Sequence, residues 1–543
     1  MQQLPIGIQN FPEIRERGYA YADKTDMVWH LAHRPKYHFL SRPRRFGKSL
    51  LLSTLECYFR GREDLFRGLK LEALQRESGE EWVEHPVVKL SMAGCDGREA
   101  DEIALLLEEQ FDDLDEAYDV DTSKYKRPNI RFARMLKVLH RKYKRRVVVL
   151  VDEYDVPLLQ TLSPEKRELH EVYREILRSV YMNLKDNDEY IHFGMLTGVS
   201  QFSQLTLFSG LNNIRNISLD DGWSTVCGFT EEDIVALFPD HLEALAGQLG
   251  CSRDEALERL RNLYDGYCFT PHGQHIYNPF GLMQALDSKY LDCYWMKTGT
   301  PSVLQHLLSQ QVLDARKLEE GVVVKRHEIS TQPVTDGTPI AMLYQTGYLT
   351  IKKAIDDSTF LVAFPNREIR TTLAWMMGSK LLGWKEGVRF KLMERLRGFL
   401  DAGDIKGFMG AVDPILAGVP YMDAEEGNPI RESNFRNAMY VVLTMLEEPV
   451  QVERPSAMGR SDCEVEAAGA IYIFEMKLKR PKGQGSNTPL SALQQIKRKR
   501  YGRRLEGVEK PVICVGAVFD GHGGVEFEEM GYEEVMALEV GEE

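Results

Sequence analysis

Residues 42–49, Arg-Pro-Arg-Arg-Phe-Gly-Lys-Ser, end in a combination that can grip a polyphosphate. Gly47 permits a tight turn, Lys48 can reach terminal phosphates, and the Ser49 hydroxyl can ligate Mg²⁺. A helix starting here adds free backbone N–H groups as anion donors. The general pattern G-x-x-x-x-G-K-[ST] asks for glycine at position 42, where this chain has Arg42. Arg42, Arg44 and Arg45 are read as supplying compensating positive charge, with Arg45 counted among the nucleotide-binding residues. Further on, an apolar run ends in Asp152-Glu153. Asp152 suits a Mg²⁺ water shell, and Glu153 suits the polarisation of an attacking water. Thr197, at the end of another apolar run, is a candidate sensor beside the γ-phosphate. A strand capped by a polar turn explains Thr197 equally well.

A second set lies near the C-terminus. Asp462 precedes the strand-like stretch Ile471-Tyr-Ile-Phe-Glu-Met-Lys477. Side chains alternate along a strand, so Ile471, Ile473, Glu475 and Lys477 share one face. If a hairpin brings Asp462 alongside, Asp462 and Glu475 can hold Mg²⁺ or Mn²⁺, and Lys477 can orient or activate water. That is equipment for metal-assisted phosphodiester hydrolysis. Glu464 and Glu466 alternate with Asp462 and could replace it as ligands. The pattern D-x₁₂-E-x-K is common by chance, and a surface hairpin with a Glu–Lys pair is the plain alternative.

Both sets need a scaffold. Strands are expected at 37–41, 87–92, 147–152 and 191–197, with helices between them, for example at 100–113 and 165–183. Apolar strands separated by helices predict an α/β layer: a mostly parallel sheet with helices on both faces. The placement suits a strand inserted in sequence between the phosphate-loop strand and its carboxylate partner. From about 230 to 430 the pattern is largely helical, with a short β element at 349–352. After 431 it switches again: a helix at 431–447, strands at 450–453, 463–466 and 470–477, and a Gly/Pro/Ser-rich loop at 481–489. A further helix follows, capped by Ser491 and Gln494, then strands at 511–519 and 524–527. The expected domains are therefore 1–230, 231–430 and 431–543.

Composition narrows the class. The chain has 543 residues, 43% apolar and 28% charged, as in ordinary globular proteins. Its eight cysteines are scattered without a C-x-x-C pair, against zinc and against a secreted disulfide framework. The N-terminus has no signal-like core, and no apolar run is long enough for a bilayer span. A cytoplasmic protein with no membrane association is expected. Net charge is −14, yet the stretch 477–510 holds eleven Lys/Arg against two Glu, a local +9. A basic segment in an acidic chain is an electrostatic footprint for nucleic acid, or a solvated helix face.

Several longer motifs carry a family likeness. Tyr21-Ala-Asp-Lys-Thr25, the run from Phe39 to Leu50, Tyr58-Phe59, Leu196-Thr-Gly-Val-Ser200 and Phe208-Ser-Gly-Leu-Asn-Asn213 resemble the bacterial AAA-ATPase-like proteins. So do Tyr264-Asp-Gly-Tyr267, Tyr277-Asn-Pro-Phe280, Thr346-Gly-Tyr-Leu-Thr350 and Phe364-Pro-Asn-Arg-Glu368. Arg42 is usual in that family. The resemblance covers most of the chain. It implies a P-loop NTPase core using ATP and Mg²⁺, followed by a small α/β domain like the PD-(D/E)XK nucleases, with a restriction-endonuclease-like fold. In such domains Glu432 matches an accessory glutamate, and Gln495-Ile496 with Tyr501 match the helix after the catalytic strand. Gly459-Arg460 before Asp462 fits too, which ranks Asp462 above Glu464 and Glu466. The basic residues Lys497, Arg498, Lys499, Arg500, Arg503 and Arg504 suit a phosphodiester backbone.

The leading expectation is an ATP-binding protein, an ATPase, fused to a Mg²⁺-dependent nuclease acting on nucleic acid, DNA ahead of RNA, with ATP state gating cleavage. The competing expectation is a nucleotide-dependent signalling switch whose C-terminal domain binds a partner or nucleic acid without cutting. A relic with two dead sites is disfavoured, because the charged residues are present at both ends. The sequence offers no convincing arginine finger: Arg215, Arg367 and Arg370 are candidates and no more, so a ring assembly is unsupported.

Overall fold

A computed structural model describes residues 1–201, 213–295, 313–331, 339–381, 386–416, 432–446, 450–452, 455–456, 459–479, 487–520 and 524–539. Residues 208–212 of one family motif and most of the expected 481–489 loop lie outside them. Packing divides the chain into two compact units. The first comprises Met1–Leu307 and Val323–Glu368, and the second Leu308–Val322 and Ile369–Glu543.

The first unit is built on a parallel sheet. Its strands are β1 (Tyr37–Ser41), β2 (Val87–Ser91), β3 (Val147–Asp152), β4 (Ile191–Gly198) and the short β5 (Arg215–Asn216). The spatial order is β2-β3-β4-β1-β5. In sequence β2 separates β1 from β3, as expected, but in space β4 does. Strands β1 and β3 are buried along their whole length, because both faces are covered. Tyr37, Phe39, Val147, Val149 and Val151 join a core with Phe111, Phe132, Leu136 and Leu177 of the flanking helices. On the other face, Phe59 of helix Lys48–Phe59 packs on Phe193, their ring centroids 4.9 Å apart.

Register fixes what lies at the strand ends. Leu40 pairs with Thr197 and Val151 with Leu196, so the carboxyl ends of β1, β4 and β3 lie side by side. That edge is where open α/β sheets bind ligands. Farther along, β6 (Val322–Lys325), β7 (Thr350–Asp356) and β8 (Thr359–Ala363) form a three-stranded sheet. Only part of β7 was legible beforehand.

The second unit holds β9 (Val450–Val452), the small hairpin β10 (Pro455–Ser456) and β11 (Gly459–Arg460), then β12 (Cys463–Glu466), β13 (Ile471–Leu478), β14 (Val512–Phe519) and β15 (Val525–Gly531). Five of these make a mixed sheet in the order β15-β14-β13-β12-β9. Ile471 and Ile473 pack on Leu493 and Ile496 of helix Pro489–Lys499, and Phe474 lies against Phe408. That helix starts with a Thr488–Ser491 capping box, not the Ser491–Gln494 pair expected. Thr488 precedes Pro489, which favours the first helical position and draws the start three residues earlier. A closing helix, Tyr532–Ala537, was not expected. None of the eight cysteines forms a disulfide. Among the described residues, no helix is long and apolar enough to cross a membrane.

Candidate functional site

Strand β1 delivers the chain to the ligand edge of its sheet, and the phosphate-type loop begins there. The Ser41 N–H donates to Ser218 Oγ (2.8 Å) and the Arg42 N–H to the Gly198 carbonyl (3.2 Å). Gly47 turns the chain at φ 97°, a left-handed conformation that glycine adopts without strain, and helix Lys48–Phe59 starts at the next residue. Lys48 is buried. Its ammonium donates to the Arg42 and Pro43 carbonyls, at 2.9 and 3.0 Å. Burial lowers its pKa, while the nearby carboxylates of Asp152, Glu153 and Asp155 oppose that shift. Ser49, half-buried, occupies the first turn of the helix.

The carboxylate side converges on the same edge. Thr197 Oγ1 donates to Asp152 Oδ1 at 2.7 Å, and the Glu153 N–H donates to the same oxygen at 3.0 Å. Glu153 has φ 51°, and burial raises its pKa. Lys48, Asp152, Glu153 and Thr197 are therefore neighbours around the loop. Lysine, hydroxyl, helix start and carboxylate together suit a polyphosphate with Mg²⁺.

Of the loop arginines, Arg42 departs from expectation. Arg42 does not offer its charge to the loop. Its guanidinium is buried, bonded to the Ser41, Ser218 and Trp223 carbonyls, and lies 4.8 Å from the Phe269 ring centre. Arg45 has φ 66°, and its guanidinium stacks 4.0 Å from the centre of the Phe280 ring.

Sequence reasoning missed much of the loop's support. Asp155 is fully buried and accepts from the Val199 N–H, the Ser200 N–H and the Ser200 hydroxyl, the last two at 2.6 Å. It staples the turn after β4 to the turn after β3. The family motifs that had no assigned role meet the loop as well. Phe46 packs edge-on against Tyr267 and Phe269, with centroids 4.9 and 5.2 Å apart. A Cβ on Gly347 would sit 2.8 Å from Pro43. Gly266, at φ 90°, passes so close to the Pro365 carbonyl that a Cβ would meet it at 2.2 Å. The Asn366 amide donates to the Asp265 carbonyl at 2.7 Å.

In the second unit, β12 pairs antiparallel with β13, Glu464 opposite Ile473 and Cys463 opposite Phe474. Extending that register by one pair sets Asp462 opposite Glu475. Asp462 Oδ2 accepts the Met476 N–H at 2.7 Å. Both carboxyls are buried, and burial drives both pKa values up. Arg436 pulls against the shift at both, and the Asp462 charge adds to it at Glu475. Glu475 Oε1 accepts from the Gln495 side-chain amide, and Gln495 Oε1 accepts from the Lys477 ammonium. Glu475, Gln495 and Lys477 thus form one chain of hydrogen bonds. Glu432 Oε2 accepts the Leu478 N–H at 2.9 Å, which holds the helix start against the end of β13. Glu464 is buried and paired with Arg504 and Ser461, while Glu466 pairs with Lys510 at 2.9 Å.

Glu475 Oε2 is buried with no hydrogen-bond partner. A lone carboxylate oxygen beside a second buried carboxylate is a place where a divalent cation relieves both desolvation and like-charge repulsion. No group of three or more His, Cys, Asp or Glu with metal-holding geometry occurs among the described residues. A pair still suits Mg²⁺, which takes one or two carboxylates and keeps several waters. Arg436, which reaches Asp462 Oδ1 at 3.1 Å, was missed. Its spacing of four residues from Glu432 on one helix was the available signal. Arg498, Lys499, Arg500 and Arg503 are exposed, whereas Lys497 donates to the Leu538 carbonyl.

Fold and sites together define a P-loop protein whose chain continues into a nuclease-type domain. Residues 5–208 match the family described as predicted AAA-ATPase, and residues 430–529 match the PD-(D/E)XK nuclease superfamily. Over 526 residues the chain is 34% identical to an Azotobacter chroococcum mcd 1 protein described as "Uncharacterized protein in vnfD 5'region", covering 95% of this chain and 96% of that one. The chain belongs to the bacterial AAA-ATPase-like proteins that carry a C-terminal PD-(D/E)XK nuclease-like domain.

Proposed function

We propose that this chain binds and hydrolyses ATP at the Lys48 site and cleaves nucleic-acid phosphodiesters at the Asp462 site. The observation that carries the nuclease reading is the unpartnered buried Oε2 of Glu475, facing the same end of the sheet as Asp462 and linked through Gln495 to Lys477. Asp462 and Glu475 would hold Mg²⁺ or Mn²⁺, whose chemistry when bound is Lewis-acid stabilisation of charge building on the phosphate. Lys477, fixed by Gln495, is placed to orient a water at the end of β13. Glu432 keeps the neighbouring helix against that strand. The exposed Arg498, Lys499, Arg500 and Arg503 suit the phosphate backbone, with DNA the first substrate to try.

At the other site Lys48 and the first turn of its helix would bind the ATP phosphates. Ser49 and Asp152 would hold Mg²⁺, Thr197 would fix Asp152, and Glu153 would orient the attacking water. Coupling between the sites, with ATP state controlling cleavage, is inferred from their fusion in one chain. Cleavage of DNA and RNA by wild type and Lys477→Ala, with Mg²⁺ or Mn²⁺ and with and without ATP, tests the nuclease reading. Metal-dependent cutting by wild type that the variant loses is expected. Equal cutting by both proteins, or none under any nucleotide condition, removes the nuclease assignment.

A further inference from the structure

Arg436 stands where a bound cation would have to compete with it. From helix Glu432–Met445 its Nη1 lies 3.1 Å from Asp462 Oδ1. Its Nη2 pairs with Glu432 Oε1 and donates to the Met476 carbonyl at 3.1 Å. The guanidinium therefore bridges two carboxylates and is anchored on the backbone of β13, the strand that carries Glu475 and Lys477. The Asp462 side chain is only 5% exposed, and its other oxygen is committed to the Met476 N–H. A cation gathered between Asp462 and Glu475 thus meets a fixed positive charge already on one of its ligands.

Two roles are open to such a residue. A positioning residue would hold Asp462 in place for metal, and its loss would weaken binding. A resident counter-charge would oppose metal, and its loss would strengthen binding. The geometry points to the second role: we propose that Arg436 competes with a divalent cation for Asp462 and sets the metal concentration at which the site fills. Two features favour this over positioning. Asp462 is already held by the Met476 N–H, so it does not need Arg436 to fix its place. The guanidinium fork also spans Asp462 and Glu432, the arrangement expected of a charge that neutralises both. Until a divalent ion displaces it, Arg436 neutralises Asp462 and Glu432 and keeps the nuclease site quiet.

The inference rests on the reading of Asp462 and Glu475 as a metal pair. Even at the dielectric of water, a unit charge and a divalent ion roughly 6 Å apart repel enough to change affinity about tenfold. Mn²⁺ binding to the full-length protein, by calorimetry and by the electron paramagnetic resonance of free Mn²⁺, reads this without any cleavage assay. Arg436→Met is expected to bind Mn²⁺ at least about tenfold more tightly than wild type, and Asp462→Asn to lose the site. Arg436→Lys keeps the charge but cannot bridge both carboxylates, so its affinity is expected between the two. If Arg436→Met does not fold, the Lys variant decides. Wild-type binding with equal or weaker binding by the Arg436 variants overturns the competition and makes Arg436 a positioning residue. Absence of Mn²⁺ binding in wild type and variants alike removes the metal pair itself, and the inference with it.

Discussion

Replacing Glu475 by glutamine is expected to stabilise the C-terminal sheet at neutral pH while abolishing metal-dependent cleavage. The carboxyl is fully buried, one of its oxygens has no partner, and burial beside Asp462 holds its pKa well above the ordinary value of 4.5. The folded state therefore holds this proton more tightly than the unfolded chain does. A raised carboxyl pKa contributes no penalty below the unfolded value and lowers stability as pH climbs from there toward the folded value. Each pH unit in that window costs about 1.4 kcal/mol for one retained proton. One proton retained across the two units from pH 5 to pH 7 bounds the loss of stability at about 3 kcal/mol. Asp462, shifted in the same direction, adds a contribution of the same sign. Glutamine keeps the shape and removes the titration. Hydrogen–deuterium exchange of the β13 amides, corrected for intrinsic rates, reads the local opening free energy at both pH values. Wild type should lose protection across the interval, the variant less, by a difference of at most about 3 kcal/mol, and saturating Mn²⁺ should restore wild-type protection at pH 7. Equal pH slopes in the two proteins would refute the burial argument.

Lys48→Ala should weaken ATP binding about 10- to 100-fold, the worth of one or two charge-assisted hydrogen bonds. Fluorescent-nucleotide titration measures it, and unchanged affinity would place the nucleotide elsewhere. Arg42→Gly restores the residue that the general phosphate-loop pattern wants, yet it is expected to lower stability by about 2–4 kcal/mol, because three backbone carbonyls and the Phe269 face lose a partner. Thermal unfolding with ATP titration checks this. Tighter ATP binding at unchanged stability would contradict the role given to Arg42.

The strongest sequence signals were those set by local chemistry. Apolar runs between helices marked β1, β3 and β4 to within a residue, because strands buried on both faces need continuous apolar sequence. The period of two along β13 placed Glu475 and Lys477 on one face, and the β12 hairpin, with Cys463 opposite Phe474, brings Asp462 to the Met476 N–H beside Glu475. Long-range choices were less legible. Nothing local says that Arg42 turns inward to Ser218 and Trp223, residues more than 170 positions away. The same holds for Asp155, whose partners Val199 and Ser200 lie on the next strand's turn. The motifs around Tyr267, Phe280 and Gly347 had no visible purpose until they packed against Phe46, Arg45 and Pro43. Small strands such as β6 and β8 escaped because four or five mostly apolar residues carry no periodicity that separates strand from helix.

The central claim is that one chain carries two phosphate-cleaving sites. Its most direct test is a paired assay of ATP turnover and metal-dependent DNA cleavage on wild type, Lys48→Ala and Lys477→Ala. The account predicts both activities in wild type, loss of ATP turnover and of nucleotide-controlled cleavage in Lys48→Ala, and loss of cleavage with ATP turnover kept in Lys477→Ala. Cleavage that survives Lys477→Ala, or a wild type that turns over ATP but cuts nothing with either metal, would contradict it.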